Sequence, residues 1–534
     1  MRFRYMGILI ILSMVSMFSY LLYAGRYYLH MFQLSSYYQG RFYKWQFKNV
    51  KVSHIVLAIL AAASAFMSCL YKPFPAALVA LSLVGILLHK APAQKKKMVY
   101  TARVKRQIAV FAVLYALMCL ATLLLFANAV INHSRTPFCI AYIVLAVCSF
   151  LPCVFISLSA LFNLPIEKCV QKYYKNDAKK ILDKNRNITV VGITGSYGKT
   201  SSKYILHTVL SEKFNTLMTP ESYNTIMGVV KTVRSSLSPL HQVFIVEMGA
   251  KHVGEIKEIA ELVKPKYSLI TTVGIQHLES FGSEENITKA KFEIVDALGE
   301  DGVAFLNYDC EKIKNHNTFK NTVTFGLSDG LDFRAEDIKC SDKGTAFTLC
   351  TKDGRKIPLS TKLLGTHNVM NIVSASAIGL TLGISEAELT RAVAKLVPVP
   401  HRLELKSGGA YTVIDDAFNS NPVGAAASLD VLSHFDGYKK IIVTPGFIEL
   451  GEKQAEESFS FGKKIASVCD AVILVGKEVT KDIKAGIESE SYGGELFVAD
   501  TLSQALTFIP AIDGEKKAVL FENDLPDNYE PQKR

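Results

Sequence analysis

The sequence predicts an α-helical transmembrane region followed by an α/β part, which comprises a central domain and a smaller Rossmann-like C-terminal domain. Three observations predict it. Five apolar runs fill the first 166 residues, a stretch with 16 Lys or Arg and no Asp or Glu. From about Ile188 the pattern changes to short apolar runs alternating with amphipathic segments, as in α/β folds. Between the run Ile188–Ile193 and the helical stretch from Tyr204 stands a glycine-rich turn, Gly192-Ile-Thr-Gly-Ser-Tyr-Gly-Lys-Thr-Ser-Ser-Lys203.

The apolar runs lie near 6–24, 52–71, 73–89, 108–132 and 136–162. Each is long enough, or nearly so, to cross a bilayer, which gives four or five transmembrane helices in region 1–166. The 52–71 and 73–89 runs are joined as a hairpin through Tyr71-Lys72-Pro73-Phe74-Pro75. Arg2 and Arg4 give the first run a basic start, but no small-x-small cleavage site follows, so it reads as an uncleaved helix. The 25–51 connection holds Arg26, Arg41, Lys44, Lys48 and Lys51, and the 90–107 connection holds Lys90, Lys95, Lys96, Lys97, Arg103, Lys105 and Arg106. The other two connections hold Lys72 and Arg135. Basic loops stay in the cytoplasm, so the expectation is a multi-pass protein of the cell membrane with its catalytic domains on the cytoplasmic side. The 27–47 connection carries Tyr27, Tyr28, Phe32, Tyr37, Tyr38, Phe42, Tyr43, Trp45 and Phe47. It reads either as an interfacial aromatic belt or as a site for a lipid-linked substrate.

The net charge is +12, and the basic excess sits in the apolar first part. That distribution points to membrane lipid as a partner and away from nucleic acid. The ten cysteines show no C-x-x-C spacing, which speaks against a zinc site or a disulfide framework. They read as packing residues in a reducing setting.

A glycine-rich turn between strand and helix bares backbone N–H groups at a helix N-terminus, where a polyphosphate is favoured. Lys199 reaches terminal phosphates and the Thr200 hydroxyl suits Mg²⁺. The strict G-x-x-x-x-G-K-[ST] spacing calls for Gly at 193, where Ile stands, so the pattern is G-x-T-G-S-x-G-K-T. The reading is a P-loop for ATP, with Gly195, Ser196, Gly198, Lys199, Thr200 and Ser201 at the phosphates. Downstream, Val243–Val246 reads as a strand ending in Glu247, Tyr267–Val273 as one ending near His277, and Val303–Leu306 as one ending at Asn307. Ligands in open parallel sheets bind at the carboxyl ends of strands, where these residues fall. Residues 321–364 read as a small antiparallel insert. Tyr411–Asp415, Ile441–Thr444 and Ala471–Val475 read as parallel strands of the C-terminal domain.

Taken together, these segments resemble the Mur ligases, the ATP-dependent amide-forming enzymes of peptidoglycan precursor synthesis, over roughly residues 165–525. The resemblance rests on GITGSYGKTSSK, SYNTIMG (222–228), VEMGAKHVGEI (246–256), TTVGIQHLESFGS (271–283) and AKFEI (290–294). It continues in GTHNVMN (365–371), HRLE (401–404), DDAFNSNP (415–422) and PGFIELGE (445–452). The third-domain segments resemble the D-alanyl-D-alanine-adding branch. Where the diamino-acid-adding branch carries D-N-P-R, Asn419-Ser420-Asn421-Pro422 stands.

The resemblance implies roles. Lys199 and Thr200 bind phosphate and Mg²⁺. Glu247 binds Mg²⁺ between the β- and γ-phosphates, and His277 and Lys291 serve a second Mg²⁺, with Lys291 N-carbamylated by CO₂. Lys199, His277 and Lys291 are thereby the expected catalytic residues, and Thr200, Glu247, His277 and Lys291 the metal residues. Asn371 contacts adenine, Asn224 sits near metal and phosphate, and Arg402 and Asp416 close onto ATP. The implied domains are 167–405 (central, ATP-binding) and 406–534 (C-terminal). The implied reaction activates a muropeptide carboxylate as an acyl phosphate and joins it to D-Ala-D-Ala or a similar amine. Soluble members carry an N-terminal domain for the UDP-sugar, whereas residues 1–166 here are apolar. The donor is therefore UDP-linked or lipid-linked. Another amine, or an inactive membrane scaffold of the same fold, is the alternative; retention of Lys199, Glu247, His277 and Lys291 argues against the scaffold.

Overall fold

The computed structural model describes residues 2–524 apart from 36, 50–51, 71–73, 89–96, 133–135, 342–343, 407–408, 418–420 and 449. Lys51, Lys72, Lys90, Lys95, Lys96, Arg135, Asn419, Ser420, Glu449 and the turn from Tyr71 to Pro73 therefore lie outside the described residues. The chain divides into two units, Met1–Lys172 and Tyr173–Leu525.

The first unit is helical: α1 (Arg2–Leu34), α2 (Gln39–Asn49), α3 (Val52–Leu70), α4 (Phe74–Leu88), α5 (Ala102–Asn132), α6 (Thr136–Phe150) and the start of α7 (Pro152–Lys184). Among the described residues, three stretches are long and apolar enough to cross a membrane: Tyr5–Leu34, Ala102–Asn132 and Pro152–Lys184. Ile55–Ser68, Pro75–Leu88 and Thr136–Phe150 are shorter apolar helices. The 136–162 run is thus two helices and not one. Pro152 has no N–H with which to continue α6, but its fixed φ suits the first position of α7.

The aromatic connection is also a helix end and a helix, and not a loop. Its rings pack on each other: Tyr27 and Trp45 have centroids 5.8 Å apart, Phe32 and Phe42 5.2 Å, and Phe42 and Trp45 5.9 Å. Tyr28 and Phe42 are fully buried there, so these rings form a core. The cysteine reading needs one correction: Cys139 is disulfide-bonded, while eight other described cysteines are free.

The second unit contains two sheets. The larger is built from β1 (Thr189–Thr194), β2 (Thr216–Met218), β3 (Val243–Glu247), β4 (Tyr267–Ile270), β5 (Val303–Asn307), β6 (Thr322–Gly326), β7 (Phe333–Ser341), β8 (Gly344–Thr351) and β9 (Lys356–Thr361). Its order is β2-β3-β1-β4-β5-β6-β7-β8-β9. All neighbours up to β7 are parallel, and β7, β8 and β9 are antiparallel. The 321–364 segment therefore extends the main sheet: β6 pairs parallel with β5 before the antiparallel strands begin.

Between these strands run α8 (Lys199–Leu210), α9 (Ile226–Ser236), α10 (Glu255–Val263), α11 (Leu278–Phe281), α12 (Glu284–Asp296) and α13 (Glu311–His316), followed by α14 (Thr366–Thr381) and α15 (Glu386–Ala394). The central strands are apolar on both faces, as a doubly covered parallel sheet requires. Val191 and Ile193 of β1 face Leu206, Val209 and Ile372, while Val190 faces the layer of Val230, Ile256 and Ile294.

The smaller sheet has β10 (Glu404–Lys406), β11 (Thr412–Asp416), β12 (Lys439–Thr444), β13 (Ala471–Val475), β14 (Glu495–Ala499) and β15 (Lys517–Glu522), in the order β10-β11-β15-β12-β13-β14. Only β10 is antiparallel. Helices α16 (Pro422–Ser433), α17 (Gln454–Val468), α18 (Lys481–Ser489) and α19 (Leu502–Phe508) cover it.

Candidate active site

Strand β1 ends at Thr194, and the chain turns through Gly195 and Gly198 into α8. Both glycines have left-handed backbone, at φ 146° and 78°. A Cβ at Gly195 would lie 2.1 Å from Thr271 Oγ1, and one at Gly198 would lie 2.7 Å from Asn371 Oδ1. The loop is braced from the strand-end segment 271–275. Ser196 N donates to Thr272 O (2.6 Å), Ser196 Oγ to Gly274 O (2.9 Å) and Tyr197 OH to Ile275 O (2.7 Å). Ser196, expected at ATP, thus holds the loop's shape with its hydroxyl. Ser201 is half-buried on the first turn of α8.

Lys199 Nζ folds back to donate to Gly195 O (2.7 Å) and Ser196 O (3.0 Å). Burial pushes this ammonium down to about 8, Arg402 adds to the push, and Glu247 opposes it. Glu247, at the end of β3, is 1% exposed. Its Oε1 accepts from Thr200 Oγ1 and from Asn224 Nδ2, each at 3.1 Å. Its Oε2 forms an ion pair with Lys203 Nζ at 3.0 Å. Thr219 Oγ1 accepts from the Glu247 backbone N–H at 3.1 Å.

Lys291, on α12, is buried and makes no hydrogen bond or ion pair among the described residues; its Nζ stands over the Phe281 ring, 5.7 Å from the centroid. Burial holds its amine well below the usual lysine range, and the Lys199 charge adds to this against Glu255 and Glu293. His277 is half-buried, with φ 55°, and caps the short α11. Asn371 accepts from Ser202 Oγ at 3.0 Å through its Oδ1, which places it behind the P-loop. Asn307 is occupied by backbone: it donates to Thr271 O (2.8 Å) and accepts from Asp309 N (3.1 Å).

The linker and the C-terminal domain add two groups. Arg402 is pushed down by burial while Asp416 and Glu247 pull it up. Asp416, at the end of β11, is pushed up by burial against Ser428, Arg402 and the Leu403 N–H, which it accepts at 3.2 Å. The domains also meet through the ion pair of Lys453 with Glu284 and through Val431, close to Gly365.

Lys199, Thr200, Lys203, Asn224, Glu247 and Arg402 are thus mutually linked by contact or charge, with Lys291 coupled to Lys199. Lys203, and Glu522 outside this set, carried no role in the sequence reading. Lys203 is fully buried against Glu247; its signal was its place one helical turn beyond Lys199, on the same face. Glu522, at the end of β15, is fully buried and accepts from Thr444 Oγ1 at 2.8 Å. Burial, with the Asp416 charge, holds it well above the carboxylate range.

This arrangement fits a polyphosphate: three cations and a helix N-terminus converge on one site. It also fits Mg²⁺. Thr200 and Glu247 offer hard oxygen donors, and the buried Oε2 has acceptor capacity left. A neutral Lys291 amine is no ligand for a hard cation, whereas its carbamate would be.

The family model for the Mur ligase middle domain matches residues 193–379, and that for the Mur ligase glutamate ligase domain matches 401–521. A UDP-N-acetylmuramoyl-tripeptide--D-alanyl-D-alanine ligase of Bacillus subtilis is 33% identical over 54% of this chain and 61% of its own length. The ligase of that name from Buchnera aphidicola (subsp. Acyrthosiphon pisum) is 30% identical over 57% of this chain and 68% of its own. The crystal structure of MurF from Acinetobacter baumannii matches with a TM-score of 0.60 at 27% identity, covering 66% of this chain and 77% of that one. The chain thus spans about three-fifths of the length of the Bacillus subtilis relative.

Proposed function

The chain belongs to the Mur ligase family, and from that premise we propose that it is an ATP-dependent, ADP-forming ligase of peptidoglycan precursor synthesis. It activates a muropeptide carboxylate as an acyl phosphate and joins it to D-Ala-D-Ala or a similar amine. The observation that carries this reading is Glu247: a buried carboxylate ion-paired with Lys203 and hydrogen-bonded by Thr200 and Asn224 beside the P-loop lysine.

Each residue has a derivable task. Lys199 releases its two loop carbonyls to meet phosphate oxygens and neutralises charge on the transferring phosphoryl group. Glu247 and Thr200 would hold Mg²⁺, which when bound supplies charge neutralisation and Lewis acidity. His277 and a carbamylated Lys291 would hold a second ion; an amine kept neutral by burial is the form that reacts with CO₂. Asn371 and Ser202 fix the floor of the P-loop, Asn371 beside the adenine and Asn224 beside the metal. Arg402 and Asp416 bring the linker and C-terminal domain over the phosphates, which shields the acyl phosphate from water.

The helical first unit favours a second reading of the donor. Three helices have the length and composition of membrane spans, and residues 1–166 stand where soluble members are expected to carry a sugar-nucleotide domain. On this reading the enzyme is a multi-pass membrane protein with cytoplasmic catalytic domains and a lipid-linked muropeptide as donor. The test is phosphate release by the full-length protein in detergent, with D-Ala-D-Ala and either UDP-linked or lipid-linked muramoyl tripeptide, and products identified by mass. Turnover of the UDP form supports the ordinary donor, and turnover of the lipid form alone supports the second. Nucleotide hydrolysis without either product would overturn both substrates. No ATP binding at all would favour the scaffold.

A further inference from the structure

Helices α1 and α5 pack antiparallel. Gln33 Nε2 donates to Val99 O (2.8 Å) near one end, Gly25 faces Phe111, and Tyr115 OH donates to Met14 O (2.7 Å) further along. Between these helices and α7 lies a cavity of ≈ 180 Å³. It is amphipathic: Arg26, Tyr100, Gln107 and Ser159 contribute polar groups, and Leu22 and Phe111 are among its apolar walls. The volume is below the roughly 300 Å³ at which pockets enclose a whole small ligand, so it suits one portion of a larger molecule.

Its polar groups are not equally satisfied. Gln107 is 4% exposed and donates to Ser159 Oγ (2.6 Å) and Ile156 O (3.2 Å) while accepting from Asn163 (3.3 Å). Arg26 makes no hydrogen bond, ion pair or ring contact among the described residues. The sequence explains why. Residues 1–166 contain no carboxylate side chain, and the first one, Glu167, is engaged by Arg106 (2.7 Å) and Arg103 (3.6 Å). Arg26 lies eight residues before the end of α1, about 12 Å along the axis at 1.5 Å per residue. Arg26 is exposed and stands just beyond the first apolar run, 6–24, at headgroup level on the membrane reading, and no described residue is its counter-ion.

We infer that this cavity holds the phosphate end of an anionic bilayer phospholipid, with Arg26 as its counter-ion and an acyl chain along the Leu22 and Phe111 wall. The complementarity is of charge and polarity together: one unpaired guanidinium at the polar end of an otherwise apolar slot. The inference rests on the reading of these helices as membrane-embedded and is independent of the ligase substrates.

The test is native mass spectrometry of the full-length protein extracted in mild detergent and exchanged against phosphatidylglycerol or phosphatidylcholine. Carbonate extraction of the membrane fraction is run first. The expected result is one retained phosphatidylglycerol per chain, preferred about fivefold over phosphatidylcholine, the effect of one basic contact. Arg26→Gln is expected to abolish the preference and Arg26→Lys to keep most of it. Gly25→Leu, which fills the slot and leaves the charge, is expected to expel the lipid. Equal retention of both lipids by the wild-type protein overturns the site without any variant, as does full retention in Arg26→Gln. Preferred retention of a prenyl phosphate over phosphatidylglycerol overturns the assigned occupant, and equal competition by inorganic phosphate overturns the role of the apolar wall. A carbonate-extractable protein would overturn the membrane reading as well. An embedded one that fails to discriminate overturns the site alone.

Discussion

Removing the Lys203 ammonium is the sharpest perturbation of the candidate site that leaves its other groups in place. Lys203 and Glu247 are 0% and 1% exposed, with Nζ 3.0 Å from Oε2. Lys203→Met keeps the stem volume and strands a buried carboxylate. Breaking one side of such a pair costs about 3–5 kcal/mol. Glu247 keeps its bonds from Thr200 and Asn224, so the lower end, about 3 kcal/mol, is expected. The chain has two units, so a single unfolding midpoint is ill-defined, and amide exchange in α8 and β3 is the better assay. At 1.4 kcal/mol per decade the variant should exchange there roughly a hundredfold faster, while the helices of the first unit are unchanged. Adding ATP and Mg²⁺ should shrink the difference, because a divalent cation replaces the missing charge. The double variant Lys203→Met/Glu247→Gln should recover much of the loss, since neither partner is then left charged. A single-variant change under about 1 kcal/mol would refute the argument, because it would show Glu247 to be neutral or hydrated.

Three further outcomes follow from the same geometry. Lys291→Ala should abolish ligation and be partly restored by short carboxylic acids, whereas unaffected turnover, or no restoration, would remove the carbamate assignment. Lys199, at about 8 against an ordinary 10.5, is neutral in the free protein at pH 9 and charged at pH 6.5. Calorimetry in buffers of differing ionisation heat should therefore show nucleotide binding to take up close to one proton at pH 9 and none from this group at pH 6.5. The folded state holds fewer protons than the unfolded one between about pH 8 and 10.5. The destabilisation from burying Lys199 is thus full below about pH 8 and fades as pH rises towards 10.5. Gly198→Ala puts a Cβ at φ 78° and 2.7 Å from Asn371 Oδ1. It should cost about 1–3 kcal/mol in loop strain and weaken nucleotide binding, measured by calorimetry, with Asn371→Ala restoring part of it.

Much of the site was legible because its residues sit where chain punctuation is loudest. Strand β3 ends at Glu247 and β5 at Asn307, and the Gly195–Gly198 turn joins a strand to a helix. Local pattern placed them at one edge of a parallel sheet. What they do there depends on partners distant in sequence, which pattern does not reveal. Asn307 and Ser196 stand at the same edge, but their polar atoms are occupied by backbone of 271–275 and, for Asn307, of Asp309. Lys203 reads as a solvated helix lysine until Glu247, 44 positions on, is placed against it. β15 was missed for a related reason: it is the last strand in sequence and lies at the centre of the smaller sheet between β11 and β12. In the first unit the misreadings were of punctuation. A proline split the 136–162 run, and the aromatics of the 27–47 connection fall in helices and pack on one another around Phe42.

The distribution of unpaired groups separates the two units by task. In the second unit every charge at the candidate site has an opposing or hydrogen-bonded neighbour except Lys291, the one group whose proposed chemistry requires neutrality. In the first unit Glu167 engages Arg103 and Arg106, and Arg26 has no ion pair or hydrogen bond among the described residues. A fold can keep an amine uncharged by burial, as at Lys291, but a guanidinium stays charged at any accessible pH. Lys291 can therefore meet its environment by losing a proton, whereas an arginine beside lipid keeps its charge and meets its own by pairing with water or an anion. That asymmetry is why a lone lysine in the catalytic unit argues for covalent modification, and a lone arginine in the helical unit argues for a bound ligand.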